Sequence, residues 1–165
     1  MPPLSTANST LLIGVGNEFR SDDGVGILAA RRILEKNLPG VVTVECDGEA
    51  ATLLDAWAGM KTVVIIDAVS SGASPGTIHR IDARRQSVSQ ELFPFSTHAL
   101  GVAHAVELAR SLGKLPVNLI IYGIEGEQFA PGSKLSPKVE EALTEILQLV
   151  TGELFSLSDD ALENS

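Results

Sequence analysis

Leu11-Leu12-Ile13-Gly14-Val15-Gly16-Asn17-Glu18-Phe19-Arg20-Ser21-Asp22-Asp23-Gly24-Val25-Gly26 is the stretch from which the architecture is read. An apolar run leads into closely spaced glycines, and an amphipathic segment follows. That order reads as a strand, a tight turn and a helix start. The loop after a parallel strand is where open α/β sheets place their chemistry. This loop carries the carboxylates Glu18, Asp22 and Asp23.

The glycines do not make a nucleotide site. Gly14 and Gly16 give G-x-G, but Phe19 stands where the third glycine of a dinucleotide fingerprint belongs. The acidic side chains would also repel a pyrophosphate. No G-x-x-x-x-G-K-[ST] sequence occurs.

Outward from this stretch the pattern repeats. Residues 1–9 read as a flexible N-terminus and 10–16 as the first strand. Ser21 or Asp22 can cap a helix from about Asp23 to Asn37, stopped by Leu38-Pro39-Gly40. Val41–Cys46 reads as a second strand and Ala51–Ala58 as a short helix. Thr62–Asp67 is a continuous apolar run ending in Asp67, the mark of a strand buried on both faces. Thr77–Ile81 is a short polar strand, expected at an edge or antiparallel. Residues 82–96 are irregular. Thr97–Leu112 reads as a helix, Val117–Ile124 as another buried strand. Ser136 and Pro137 start a last helix ending near Val150. The acidic tail, 151–165, is expected to fray. The prediction is one α/β domain over 10–150. It has three layers: a twisted, mostly parallel sheet of about five strands with helices on both faces.

Composition agrees with a single domain and narrows the partners. The chain has 165 residues, 44% of them hydrophobic, enough for one core. Net charge is −9, which disfavours nucleic acid. The basic pairs Arg31-Arg32 and Arg84-Arg85 read as solvated surface. No apolar run is long enough to span a membrane, and the first residues lack a signal-peptide pattern. A cytoplasmic protein is expected. The lone Cys46 reads as a small core residue.

Three side chains then converge. Glu18 follows the first strand, Asp67 ends the third, and His98 starts a helix in Ser96-Thr97-His98-Ala99-Leu100-Gly101. In a parallel sheet the two carboxylates share one rim. Two carboxylates and an imidazole form an O,O,N set that suits a borderline divalent metal with open positions. Each also has a structural reading: a solvated acid, a turn cap and a first-turn helix residue. Asp22 and Asp23 read as helix N-terminal charges and His104 as structural, while His79 lies in the polar short strand with no obvious partner.

The residues resemble the hydrogenase maturation endopeptidases over about 10–150. The resemblance rests on Gly14-Val15-Gly16-Asn17-Glu18 with Asp22-Asp23-Gly24-Val25-Gly26, then Asp47-Gly48, then Ile65-Ile66-Asp67-Ala68-Val69 before Pro75-Gly76. It continues through Ser96-Thr97-His98-Ala99-Leu100-Gly101, Glu107-Leu108-Ala109, Tyr122-Gly123-Ile124-Glu125 and Leu135-Ser136-Pro137-Lys138-Val139. Their order and spacing together are specific.

The resemblance implies a protease that removes the C-terminal peptide of a nickel-iron hydrogenase large-subunit precursor. Glu18, Asp67 and His98 match the metal-contacting positions. The metal is nickel already carried by the precursor, and no organic cofactor is implied. Many members carry Asp-Gly-Gly-Thr after the second strand. Here Asp47-Gly48-Glu49-Ala50 stands instead, which bears on the choice of precursor. Asp47, or one of the metal ligands Glu18 and Asp67, could serve as base. Two other readings stand beside this one: a non-catalytic nickel-binding maturation chaperone, and a peptidyl-tRNA hydrolase-like enzyme. The second would need a basic surface and an early histidine.

Overall fold

Close backbone approach explains why the first loop needs its glycines. β1 (Thr10–Val15) is buried along its whole length, and α1 (Val25–Glu35) lies directly on it. A Cβ on Gly14 would lie 2.6 Å from the Ala30 Cβ and from the Gly26 carbonyl oxygen. One on Gly26 would lie 2.4 Å from the Ile66 carbonyl oxygen and 2.5 Å from that of Val15. No side chain fits at either place. Gly16 turns the chain with φ 146. A single 3₁₀ turn, Ser21–Gly24, precedes α1.

A computed structural model describes residues 10–88 and 97–163, with side chains at 10–88 and 101–160. After α1 come β2 (Val41–Cys46), α2 (Ala50–Trp57), β3 (Thr62–Val69), β4 (Ile78–Asp82), α3 (Thr97–Ser111), β5 (Asn118–Glu125) and α4 (Pro137–Glu163). The sheet order is β2-β1-β3-β5-β4. The first four strands in that order run parallel, and β4 is an antiparallel edge. This is the three-layer α/β architecture read from the sequence, including the place of the short polar strand.

Strand pleating divides the core in two. Leu11, Ile13, Val63, Ile65, Leu119 and Ile121 pack against α2 and α3. Leu12, Val64, Ile66, Ile120, Tyr122 and Ile124 pack against α1 and α4. The order reverses between β1 and β3, because β1 connects outward to β2 while β3 lies on its other side. A crevice at the carboxyl ends of these strands is the place where such sheets bind ligands.

Two boundaries differ from the sequence reading. β3 continues past Asp67 to Val69, in register with β5, where Asp67 faces Gly123. Asp67 is therefore an interior residue of a strand. Secondly, α4 does not stop near Val150. It runs to Glu163, so residues 151–163 are helical and not a frayed tail. Val139, Leu143, Ile146, Val150 and Leu154 form one buried stripe at helical spacing. Glu153 adds an ion pair with Arg80 of β4 at 2.6 Å and accepts a bond from the Tyr122 hydroxyl at 3.3 Å. Among the described residues no helix is long and apolar enough to cross a membrane.

Candidate active site at the carboxyl rim of the sheet

The loop after β1 is wound on its own backbone. The Asn17 amide donates to the Asp23 carbonyl, the Arg20 amide donates to the Asn17 carbonyl, and the Asn17 side chain accepts from the Phe19 amide at 2.9 Å. This winding turns Glu18 toward β2. There it lines a pocket of about 290 Å³ with Asn17, Phe19, Glu45, Cys46 and Asp47. Phe19 stands at the edge of the pocket, 71% exposed.

Arg31 of α1 closes the charge arrangement. Its Nη1 donates to Glu18 Oε2 at 2.7 Å and its Nη2 to Glu18 Oε1 at 3.1 Å. The same guanidinium donates to Glu45, with Nη2 2.8 Å from Oε1 and Nε 3.1 Å from Oε2. These bonds hold the Glu18 carboxyl below its ordinary range, against a smaller opposing effect of burial. Arg31 is thus not the free surface residue that its sequence neighbourhood suggested. The legible signal was topological: a right-handed crossover lays α1 over the β1–β2 pair.

Cys46 is only half-buried and forms part of the pocket wall. Burial first, and the neighbouring Asp47 charge second, push its thiol upward. A thiol so shifted stays protonated at neutral pH, which argues against a cysteine nucleophile. Asp47 Oδ1 accepts from the Glu49 amide at 3.1 Å, fixing the turn that opens α2.

The same rim gathers the remaining elements. Asp67 is fully buried. Its strand parity, shared with Ile65 and Val69, directs it to the side of the sheet covered by α2 and α3. The start of α3 is pressed onto the turn after β2, since a Cβ on Gly101 would lie 1.7 Å from the Gly48 carbonyl oxygen. His98 is in the first turn of α3; its side chain lies outside the described residues. The fold therefore brings the β1 loop, the Asp47-Gly48 turn and the α3 start to one rim. Among the described residues no three His, Cys, Asp or Glu side chains are grouped to hold a metal ion.

Asp22 has a different task from the cap read in the sequence. Its carboxylate is fully buried and accepts from the amides of Glu127 at 2.8 Å, Gln128 at 2.9 Å and Ser136 at 2.7 Å. The Ser136 hydroxyl donates to it as well, at 2.7 Å. Burial alone would raise the Asp22 carboxyl; the bonds from Ser136, Gln128 and Glu127 outweigh it and hold it low. The loop before α4 is thereby fastened to the loop after β1. Ser136 accepts the Glu140 amide through its own carbonyl, as expected of a residue opening a helix.

His79 has a partner that the sequence did not reveal. Its Nε2 lies 3.1 Å from Glu125 Oε1, and Glu125, almost fully buried, also accepts from the Ser71 amide and hydroxyl. His104 is exposed on α3.

The model of one family, described as hydrogenase maturation protease, matches residues 30–153. The chain belongs to the hydrogenase maturation protease family. A candidate hydrogenase maturation protease of Methanocaldococcus jannaschii is 27% identical over 154 residues, covering 87% of this chain and 95% of its own. An endopeptidase of Escherichia coli superposes with a TM-score of 0.74 at 29% identity, over 86% of this chain and 89% of that one. The E. coli hydrogenase maturating endopeptidase HybD shares the fold with a TM-score of 0.75 at 24% identity, over 90% of this chain and 93% of its own. Membership of the hydrogenase maturation proteases makes the rim of this sheet the region in which to seek a peptidase site. It also removes the peptidyl-tRNA hydrolase alternative.

Proposed function

We propose that this chain is the endopeptidase that removes the C-terminal peptide of a nickel-iron hydrogenase large-subunit precursor, and that it acts only after nickel has been inserted. The observation that carries this reading is the gathering of the Glu18 pocket, the Asp47-Gly48 turn and the first turn of α3 at the carboxyl rim of the sheet. Glu18, Asp67 and His98 are the residues we assign to contact with the precursor's nickel. Two carboxylates and an imidazole suit that ion.

The chemistry asked of the chain's own groups is modest. Glu18 and His98 would fix the precursor by its metal. Asp67, buried in β3, would supply a second oxygen donor in a dry setting where charge interactions are stronger. Asp47 would take the proton from the attacking water, or one of the ligating carboxylates would do so. A carried metal can polarise the scissile carbonyl as well as mark the precursor as complete. The same reading assigns cleavage to the cytoplasm, with the large-subunit precursor as partner and no organic cofactor.

The test is processing of nickel-loaded precursor by Glu18→Gln, Asp67→Asn and His98→Ala proteins. Each should slow cleavage by roughly 100-fold or more, the usual weight of a lost acid–base or metal contact. Processing at the normal rate by the Glu18 and His98 variants would discard the nickel-contact assignment. Wild-type protein that binds loaded precursor and leaves its C-terminus intact would show a chaperone instead.

A further inference from the structure

We propose that Arg31 is an internal counter-ion that makes Glu18 poorly receptive to free metal ions, and that it yields Glu18 by moving wholly onto Glu45. The inference rests on the reading of Glu18 as a nickel contact.

Both Glu18 oxygens are engaged by Arg31, at 2.7 and 3.1 Å. An ion arriving at this carboxylate must therefore displace a forked guanidinium pair, not merely a hydration shell. Glu45 supplies the alternative seat. It already accepts from Arg31 Nη2 and Nε, so release of Glu18 leaves no unpaired charge. Arg31, Glu18 and Glu45 are 41%, 38% and 40% exposed, so the exchange requires no unfolding.

A pair this exposed is worth at most about 5-fold in a competing equilibrium. That is enough to weaken capture of a dissolved ion. It matters less for an ion already presented at the site by a bound precursor, whose effective concentration is high. Arg31 is thus a positioning residue that discriminates carried metal from free metal.

The experiment is calorimetric titration of the full-length protein with nickel chloride, on wild type, Arg31→Gln, Arg31→Lys and Glu45→Gln. Arg31→Gln should tighten nickel binding by about 5-fold. Arg31→Lys keeps the charge but cannot fork two carboxylates, so it should tighten binding too. Glu45→Gln should not tighten it. Unchanged or undetectable binding in both Arg31 variants, with thermal midpoints like wild type, would overturn the proposal. So would tightening by Gln with none by Lys, which would be a long-range charge effect only. The underlying assignment fails separately: Glu18→Gln protein that binds nickel and processes precursor normally removes Glu18 as a contact whatever Arg31 does.

Discussion

Glu18 and Asp22 stand four positions apart on one loop, and they are solvated in opposite ways. Asp22 is fully buried, with its carboxylate supplied by the amides of residues 127, 128 and 136 and by the Ser136 hydroxyl. Glu18 opens to a pocket and is held, among the described residues, by a side chain that has another carboxylate to go to. A buried carboxylate with fixed backbone donors has its capacity spent on structure. A half-exposed carboxylate held by an exchangeable partner keeps that capacity for a ligand. The contrast separates the residue that builds the loop from the residue offered by it.

The largest effect should come from the buried member. Asp22→Ala leaves three backbone amides without their acceptor and should destabilise the fold by about 3 kcal/mol or more in urea unfolding. A loss under about 1 kcal/mol would mean that water replaces the carboxylate, and would erase the contrast.

Acid should act through the same residue. The folded Asp22 carboxyl lies below its ordinary value, so the folded state binds fewer protons than the unfolded one. Its stabilising contribution is complete above about pH 4 and is lost as pH falls through the folded value. Unfolding midpoints measured between neutral and acid pH should fall less steeply in Asp22→Asn than in wild type.

The pocket side is tested at its packing, not its charge. Gly101→Ala puts a methyl against the Gly48 carbonyl and should cost about 1–3 kcal/mol, typical of overpacking. Because it pushes the α3 start away from the Asp47-Gly48 turn, processing should suffer more than stability. Equal losses in both would show that the junction has no bearing on the site.

A smaller effect sharpens the description of α4. Gly152 is exposed inside this helix with open space around it, so Gly152→Ala should raise stability by about 0.5–1 kcal/mol. No gain would point to a frayed end. The smallest effect on stability is expected at Glu18 itself: Glu18→Gln should leave the unfolding midpoint close to that of wild type, as for a surface ion pair, while slowing processing by roughly 100-fold or more.

Much of this was legible in the sequence where one residue type has one dominant use. The apolar runs at Leu11–Ile13 and Thr62–Ile66 became buried parallel strands. The glycines of the first loop became sites of backbone contact, and the polar stretch Thr77–Ile81 became the edge strand Ile78–Asp82. What stayed hidden depended on partners distant in sequence. Nothing local distinguishes Asp22 from Glu18, because the donors to Asp22 lie more than a hundred residues away. Arg31 meets Glu18 and Glu45 only once α1 crosses over the strands. The acidic letters after Val150 hid a stripe that continues to Leu154, since charge on one helix face says nothing of the other.

The central claim is that the protein cleaves on reading nickel. Its most direct test is mass spectrometry of a matched large-subunit precursor, nickel-loaded and nickel-free, after incubation with the wild-type protein. The account predicts loss of a C-terminal peptide from the loaded form alone. Equal cleavage of both forms, or no cleavage of an authenticated loaded partner, would contradict it.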